Sequence, residues 1–153
     1  MKVCSLCLVF NGNNVLLGMK KRGFGNGKWN GFGGKVLPGE SIEDAAIREL
    51  EEEAGIIAMA GDLNKLAEID FIFENNPDIN NHTVVFSLEK WQGEPCESEE
   101  MKPQWFEMAD IPFDEMWSCD AQWIPRVLSG EKIRAAVRFE DENVLKGVEI
   151  WEE

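Results

Sequence analysis

Positive charge is scarce in this chain: 15 lysines and arginines stand against 29 aspartates and glutamates, for a net charge of −14 at pH 7 and a pI near 4.5. Such a field repels polymeric nucleic acid and anionic membrane surfaces. No apolar run approaches the ~20 residues of a membrane-spanning helix, and no charged-then-apolar leader with a cleavage site opens the chain. Low-complexity tracts, repeats and linkers are also missing. The 153 residues therefore read as one soluble, cytoplasmic domain, 1–153, long enough to bury a real core. Cysteine is sparse and badly placed for zinc: Cys4 and Cys7 form C-x-x-C, but Cys96 and Cys119 are isolated and no second pair follows. Strand periodicity puts Cys4 and Cys7 on opposite faces, so both read as core thiols in a reducing compartment. The only histidine, His82, has no partner evident in the sequence and is read as structural.

What is present alternates between strands and two helices. Val3 to Phe10 and Val15 to Met19 are apolar runs joined by Asn11-Gly12-Asn13-Asn14, which predicts a hairpin. A loop follows with glycines at 23, 25, 27, 31, 33 and 34 and with Phe24, Trp29 and Phe32 interleaved. Glycine lets backbone approach a ligand closely, whereas a merely flexible linker would be Ser-rich and polar. Lys65 to Glu74 and Thr83 to Leu88 read as strands flanking a polar loop, 75–81. An acidic segment, Glu97 to Met101, precedes Gln104-Trp105-Phe106. Asp120 is expected to cap a short helix reaching about Leu128 and interrupted by Pro125, and a final hairpin turns at Glu140-Asp141-Glu142. This order predicts an α+β fold, a mixed sheet between helices.

The densest chemistry lies in Gly34 to Ile56. Pro38-Gly39 makes a turn, Ser41 with Asp44 makes a capping pair, and Gly55 is a stop, which predicts a helix from about Ile42. At about 100° per residue with Glu49 at zero, Glu52 lies near 300° and Glu53 near 40°, beside an apolar stripe of Ala46, Ile47, Leu50 and Ala54 at roughly 60° to 160°. Glu51 and Asp44 fall on the solvent side, near 200° to 220°. Like charges at these spacings repel, each pair weakening a helix by a few tenths of a kcal/mol. A divalent cation would offset that repulsion, and oxygen-only ligation suits Mg²⁺ or Mn²⁺, whose usual companion is a substrate polyphosphate. Taken alone, R-E-L-E-E-E is an ordinary solvated acidic face.

The spacing removes that ordinariness. Gly34, Glu40, Arg48, Glu49, Leu50, Glu52, Glu53, Gly55 and Ile56 fill the pattern G-x5-E-x7-R-E-U-x-E-E-x-G-U, where U is a bulky aliphatic. In this the chain resembles the Nudix hydrolases. Residues 15–56, with L-L-G-M-K-K-R-G-F-G and W-N-G-F-G-G-K-V, and later Glu97-Ser98-x-Glu100-Met101-x-Pro103 and Met116-Trp117, are similar to the subfamily that hydrolyses oxidised purine nucleoside triphosphates such as 8-oxo-dGTP.

The resemblance implies an α/β/α sandwich with a mixed, curved sheet, and an enzyme that cleaves a modified purine nucleoside triphosphate to monophosphate and pyrophosphate. It implies that Glu49, Glu52, Glu53 and the Gly33 carbonyl hold the metal, that Arg48 orients the carboxylates, that Glu40 props the loop, and that Glu100 is a further ligand or base. The base pocket would consist of Asn30 and Asp120 as hydrogen-bonding groups, Trp117 as a stacking wall, and Phe24, Phe71, Lys20 and Cys119 around them. The chain departs from that pattern at Trp117-Ser118-Cys119-Asp120, where the subfamily carries Trp-Pro-Asp-Asp. With Cys119 beside it, Asp120 is expected to be ionised and acceptor-only. The expected partner is a small metal-complexed nucleotide, met by a monomer. Other Nudix substrates (a methylated purine nucleotide, ADP-ribose) and a nucleotide sensor that does not cleave are the competing expectations; a sensor predicts erosion of the three glutamates, all of which are present.

Overall fold

The computed structural model describes residues 1–153. The chain opens as expected, with β1 (Lys2–Asn11) and β2 (Asn14–Lys20) joined by a tight turn in which Gly12 takes φ 59°. After the two-residue β3 (Trp29–Asn30) comes α1 (Ile42–Ala54). Its cap is the anticipated one: Ser41 accepts the Asp44 N–H at 3.1 Å, and Gly55 ends the helix at φ 70°. β4 (Leu63–Phe73), β5 (Asn81–Leu88), β6 (Met101–Glu107), α2 (Asp120–Leu128), β7 (Ile133–Asp141) and β8 (Val144–Glu152) complete the order.

All eight strands belong to one sheet, ordered β3-β2-β1-β5-β4-β7-β8, with β6 on the other edge of β2. The sheet is mixed, because β1–β5 and β4–β7 pair in parallel and the other pairs are antiparallel. Register shifts in the β4–β5 and β7–β8 ladders add local bends. Each face buries a separate core. On one side Ala46, Leu50 and Ala54 of α1 meet Cys7, Val9, Leu16 and Phe86, and on the other Trp123, Ile124 and Val127 of α2 meet Leu8, Leu17, Val137 and Phe139. The α+β class and the helix–sheet–helix layering are as the sequence predicts.

Three details differ. β6 was not expected as a strand, since Pro103 interrupts its apolar pattern; pairing only with β2, it is an edge where a missing N–H is tolerated. Pro125 does not interrupt α2, which runs through it and loses one backbone bond while three buried side chains hold it in place. Asp120 is not the helix cap: Cys119 occupies that position without a side-chain bond, and Asp120 is the first helical residue, buried.

Candidate active site

The loop before α1 is laid along β1 as an extra strand. Cys7 and Phe32 exchange both backbone hydrogen bonds, at 2.7 and 3.0 Å, and the Ser5 N–H donates to the Gly34 carbonyl at 2.8 Å. That approach demands glycine: a Cβ on Gly33 would stand 1.8 Å from the Ser5 carbonyl oxygen, and one on Gly34 would stand 2.7 Å from Glu49 Oε1. The Glu49 carboxylate thus lies directly over the loop.

Arg48 knits this end together. It donates twice to Glu40, at 2.8 and 3.1 Å, once to Glu49 at 2.8 Å, and to the Lys35 carbonyl at 3.1 Å. Glu40 in turn accepts the Leu37 N–H at 3.0 Å, so the expected prop is in place. The Gly33 N–H donates to Glu53 Oε1 at 2.9 Å. Burial, and then the charge of Glu49, push the Glu53 carboxyl up to about 8, against the opposing Gly33 bond and Lys20. Burial also raises Glu49, despite Arg48. Two adjacent acids that resist ionisation, beside a glycine carbonyl left free by the loop's pairing with β1, form a hard oxygen set that a divalent cation would relieve. The residues therefore fit the implied metal at Glu49, Glu53 and Gly33.

The rest of the expected ligand set is not gathered there, and no three His, Cys, Asp or Glu side chains converge as a metal-holding group. Glu52 is 57% exposed and leans on Arg48 at 3.3 Å. Glu100, tied to Arg22 at 2.6 and 3.0 Å, has its pKa lowered by that hydrogen bond. The expectation that Glu49, Glu52 and Glu53 share one edge of the helix is not met by Glu52, which lies about 100° round from Glu53 and turns to Arg48, while nothing local announced Arg22, 78 residues away, as the partner of Glu100.

A cavity of about 200 Å³ is lined by Glu53, Gly33 and Lys20 together with a wall of aromatic rings. Asn30, Phe24, Phe71, Trp117 and Asp120 all line it, so each expected base-pocket residue except Cys119 is brought together. Trp117 lies 5.0 Å from Phe24 and 5.5 Å from Phe139, ring to ring. Asn30 spends its side-chain oxygen on the Gly31 N–H at 2.8 Å, which leaves its amide nitrogen to donate. Asp120 Oδ1 accepts from Trp123 Nε1 at 3.0 Å and from the Cys119 thiol at 3.6 Å, while Oδ2 is buried with no partner.

Three expectations are corrected here. Cys119 is fully buried among the residues around α2 and does not line the cavity; its thiol, pushed up by burial, serves Asp120. Asp120 is not held fully ionised: burial, without a second carboxylate, pushes it up to about 7 against its bonds from Trp123 and Cys119, so both forms are present near neutral pH. Cys4, expected in the core, is half-buried and lines the cavity instead. Sequence reasoning missed Phe73, Thr83, Lys28 and Ser5, which also line it. Phe73 follows the same alternation as Phe71, and Thr83 and Ser5 are polar interruptions of apolar strands, a signal that could have marked them. The hydroxyl of Ser5 is the second buried polar atom without a partner, so both unsatisfied groups of the protein lie along one cavity.

Comparison with known proteins places the chain in a family. The oxidized purine nucleoside triphosphate hydrolase of Mus musculus is 45% identical over 144 residues, covering 94% of this chain and 90% of that one. The protein of the same description from Danio rerio matches to the same extent. Among solved structures, a MutT protein from Bacillus halodurans superposes with a TM-score of 0.82 over 98% of this chain and 97% of that chain; at 21% identity it speaks for the fold alone. Residues 2–127 match the NUDIX domain, and the chain belongs to the Nudix family.

Proposed function

We propose that this protein hydrolyses an oxidised purine nucleoside triphosphate, with 8-oxo-dGTP the first candidate, to the monophosphate and pyrophosphate, and so clears damaged nucleotides from the pool. The observation that carries this reading is one cavity lined by Glu53 and Gly33 and by an aromatic wall with Asp120 and Asn30. At about 200 Å³ it is smaller than the ~300 Å³ from which whole-ligand pockets start, so it takes a ring system and leaves the phosphate chain outside. The names of the mouse and zebrafish relatives point the same way.

The metal is Mg²⁺, with Mn²⁺ as the alternative. Glu49, Glu53 and the Gly33 carbonyl would hold it, and when bound it would supply charge neutralisation at the phosphates and acidify a water. Arg48 holds Glu49 and Glu40 in register, and the Gly33 N–H fixes the rotamer of Glu53, which loses its proton to act as ligand or base. Glu52 and Glu100, now paired with Arg48 and Arg22, would serve as further ligands once released from those arginines. Lys20 faces the phosphates. Trp117, Phe24 and Phe71 sandwich the base, while the Asn30 amide and Asp120 Oδ2 read its edge. The protein acts as a cytoplasmic monomer, in keeping with four free cysteines and with the absence of any helix long and apolar enough to cross a membrane.

A second reading, another nucleotide such as a methylated purine nucleotide or ADP-ribose, is favoured by the solitary carboxylate at Asp120. The deciding experiment is pyrophosphate or phosphate release with Mg²⁺ across oxidised, methylated and unmodified nucleoside triphosphates and ADP-ribose. Release fastest from 8-oxo-dGTP supports the first reading; none from any oxidised purine overturns it.

A further inference from the structure

The C-terminal hairpin of β7 and β8 lies beyond residues 2–127, the stretch that matches the NUDIX domain. Its turn nevertheless reaches the Gly23–Lys28 loop, whose Phe24, Gly25 and Lys28 line the cavity. Glu142 Oε1 accepts the Gly25 N–H at 3.1 Å and stands 3.8 Å from Lys28 Nζ, and that ammonium donates to Asn143 Oδ1 at 3.1 Å. The same ammonium sits 5.1 Å from the ring centre of Trp117, within cation–π reach. Apart from bonds within the loop and to Lys20, these are the only polar contacts of the Gly23–Lys28 loop.

The loop needs holding. Gly23, Gly25 and Gly27 all take positive φ, so the free segment has wide conformational freedom to lose. When held, it closes directly on the stacking wall: a Cβ on Gly25 would lie 3.3 Å from Trp117 Cζ2, and the Phe24 ring lies 5.4 Å from Phe73. Phe24, Gly25, Lys28 and Trp117 all face the cavity.

We propose that Glu142 and Asn143 are a latch, supplied from outside the NUDIX-matching stretch, that positions the Gly23–Lys28 loop and thereby sets affinity for the ring system packed against Trp117 and Phe24. The proposal rests on the reading that a purine nucleotide fills this cavity. Both are positioning residues, since they act through Gly25 and Lys28. An unlatched loop must be ordered when ligand binds, which weakens affinity, but Gly33 and Glu53 are untouched and turnover at saturation is retained.

The test uses full-length Glu142→Ala and Glu142→Gln. Three quantities are measured: KM and kcat for 8-oxo-dGTP with Mg²⁺, the Kd of 8-oxo-dGMP without metal, and amide hydrogen exchange of residues 20–28. For Glu142→Ala the latch predicts KM and Kd raised about tenfold, a shift of the size one charge-assisted hydrogen bond provides, kcat within about twofold, faster loop exchange and an unchanged Tm. Glu142→Gln, which keeps an acceptor for the Gly25 N–H, should recover most of the affinity. Unchanged KM, Kd and exchange in Glu142→Ala overturn the latch, and so does a joint fall of kcat and Tm, the mark of a merely structural residue. A wild type that binds no purine nucleotide would overturn the functional reading and the latch together; wild-type binding with unaltered variants overturns the latch alone.

Discussion

Glu53 accepts the N–H of Gly33 at 2.9 Å, and that bond joins α1 to the glycine loop. The acid is poised there but protonated: with its pKa pushed up to about 8 by burial and Glu49, it gives up its proton at neutral pH only when a cation takes its place. EDTA should therefore abolish turnover. Glu53→Gln keeps the volume and loses the charge, and kcat should fall roughly 10²-fold or more. Turnover near wild type in that variant would remove Glu53 from the mechanism.

The same helix supplies its own control. Glu51 is exposed on the solvent side of α1, so Glu51→Gln should keep wild-type kcat and KM. A loss matching that of Glu53→Gln would mean that the carboxylates act through bulk charge and not through placement.

Metal and stability are coupled with a definite sign. A carboxyl raised in the folded state, from an ordinary value of 4.5 to about 8, contributes stability that is fully present below pH 4.5 and is lost as pH rises through 8. The Tm of metal-free protein should accordingly fall between pH 5 and pH 8, and Mg²⁺ should raise Tm more at pH 8 than at pH 5. An equal Mg²⁺ effect at the two values would place the cation away from Glu53.

Much of this architecture could be read from the chain, because its signals are local. The Ser41 cap, the Gly55 stop and the phase separating Glu51 from Glu53 need only helix geometry, and the hairpin at Gly12 needs only its turn residues. What could not be read depends on contacts far apart in sequence. Glu100 looked free because Arg22 is remote, and His82 looked solitary because the β4–β5 register that sets it opposite Asp70 is a property of the sheet. Cys119 sits in the turn before α2, where no periodicity tells inside from outside, so its burial appears only once the helix is docked.

His82 joins the two carboxylates across that register, with Nδ1 2.7 Å from Asp70 and Nε2 3.2 Å from Glu68, while Glu68 also receives Arg134 at 2.9 Å and Lys65 at 3.1 Å. Burial pulls the His82 pKa down, but the bonds to Asp70 and Glu68 outweigh it and the net shift is upward. The stabilising contribution is then complete below the ordinary value of 6.5 and lost as pH rises above it. His82→Gln should lower Tm at pH 6 and match wild type at pH 9; a deficit that is the same at both values would show that packing, and not charge, is what His82 provides.

The last prediction concerns the base. Asp120 Oδ2 is buried in the pocket without a partner, and its carboxyl titrates near 7. Below that value the protonated acid can donate to a lone pair such as N1 of an adenine-type base. Above it the carboxylate only accepts, which suits the N1–H and 2-amino group of a guanine-type base and sets two lone pairs against each other for adenine. The ratio of kcat/KM for 8-oxo-dGTP over 2-hydroxy-dATP should therefore rise between pH 6 and pH 8. Comparing the two substrates at each pH cancels the titration of Glu53, which acts on both. The departure from two aspartates leaves this device intact, because burial does the work that a neighbouring carboxylate would do: Cys119→Asp, which places a second acid beside Asp120, should push the transition to higher pH. A ratio independent of pH in the wild type would remove Asp120 as the reader of the base and leave Asn30 and the aromatic walls to select it.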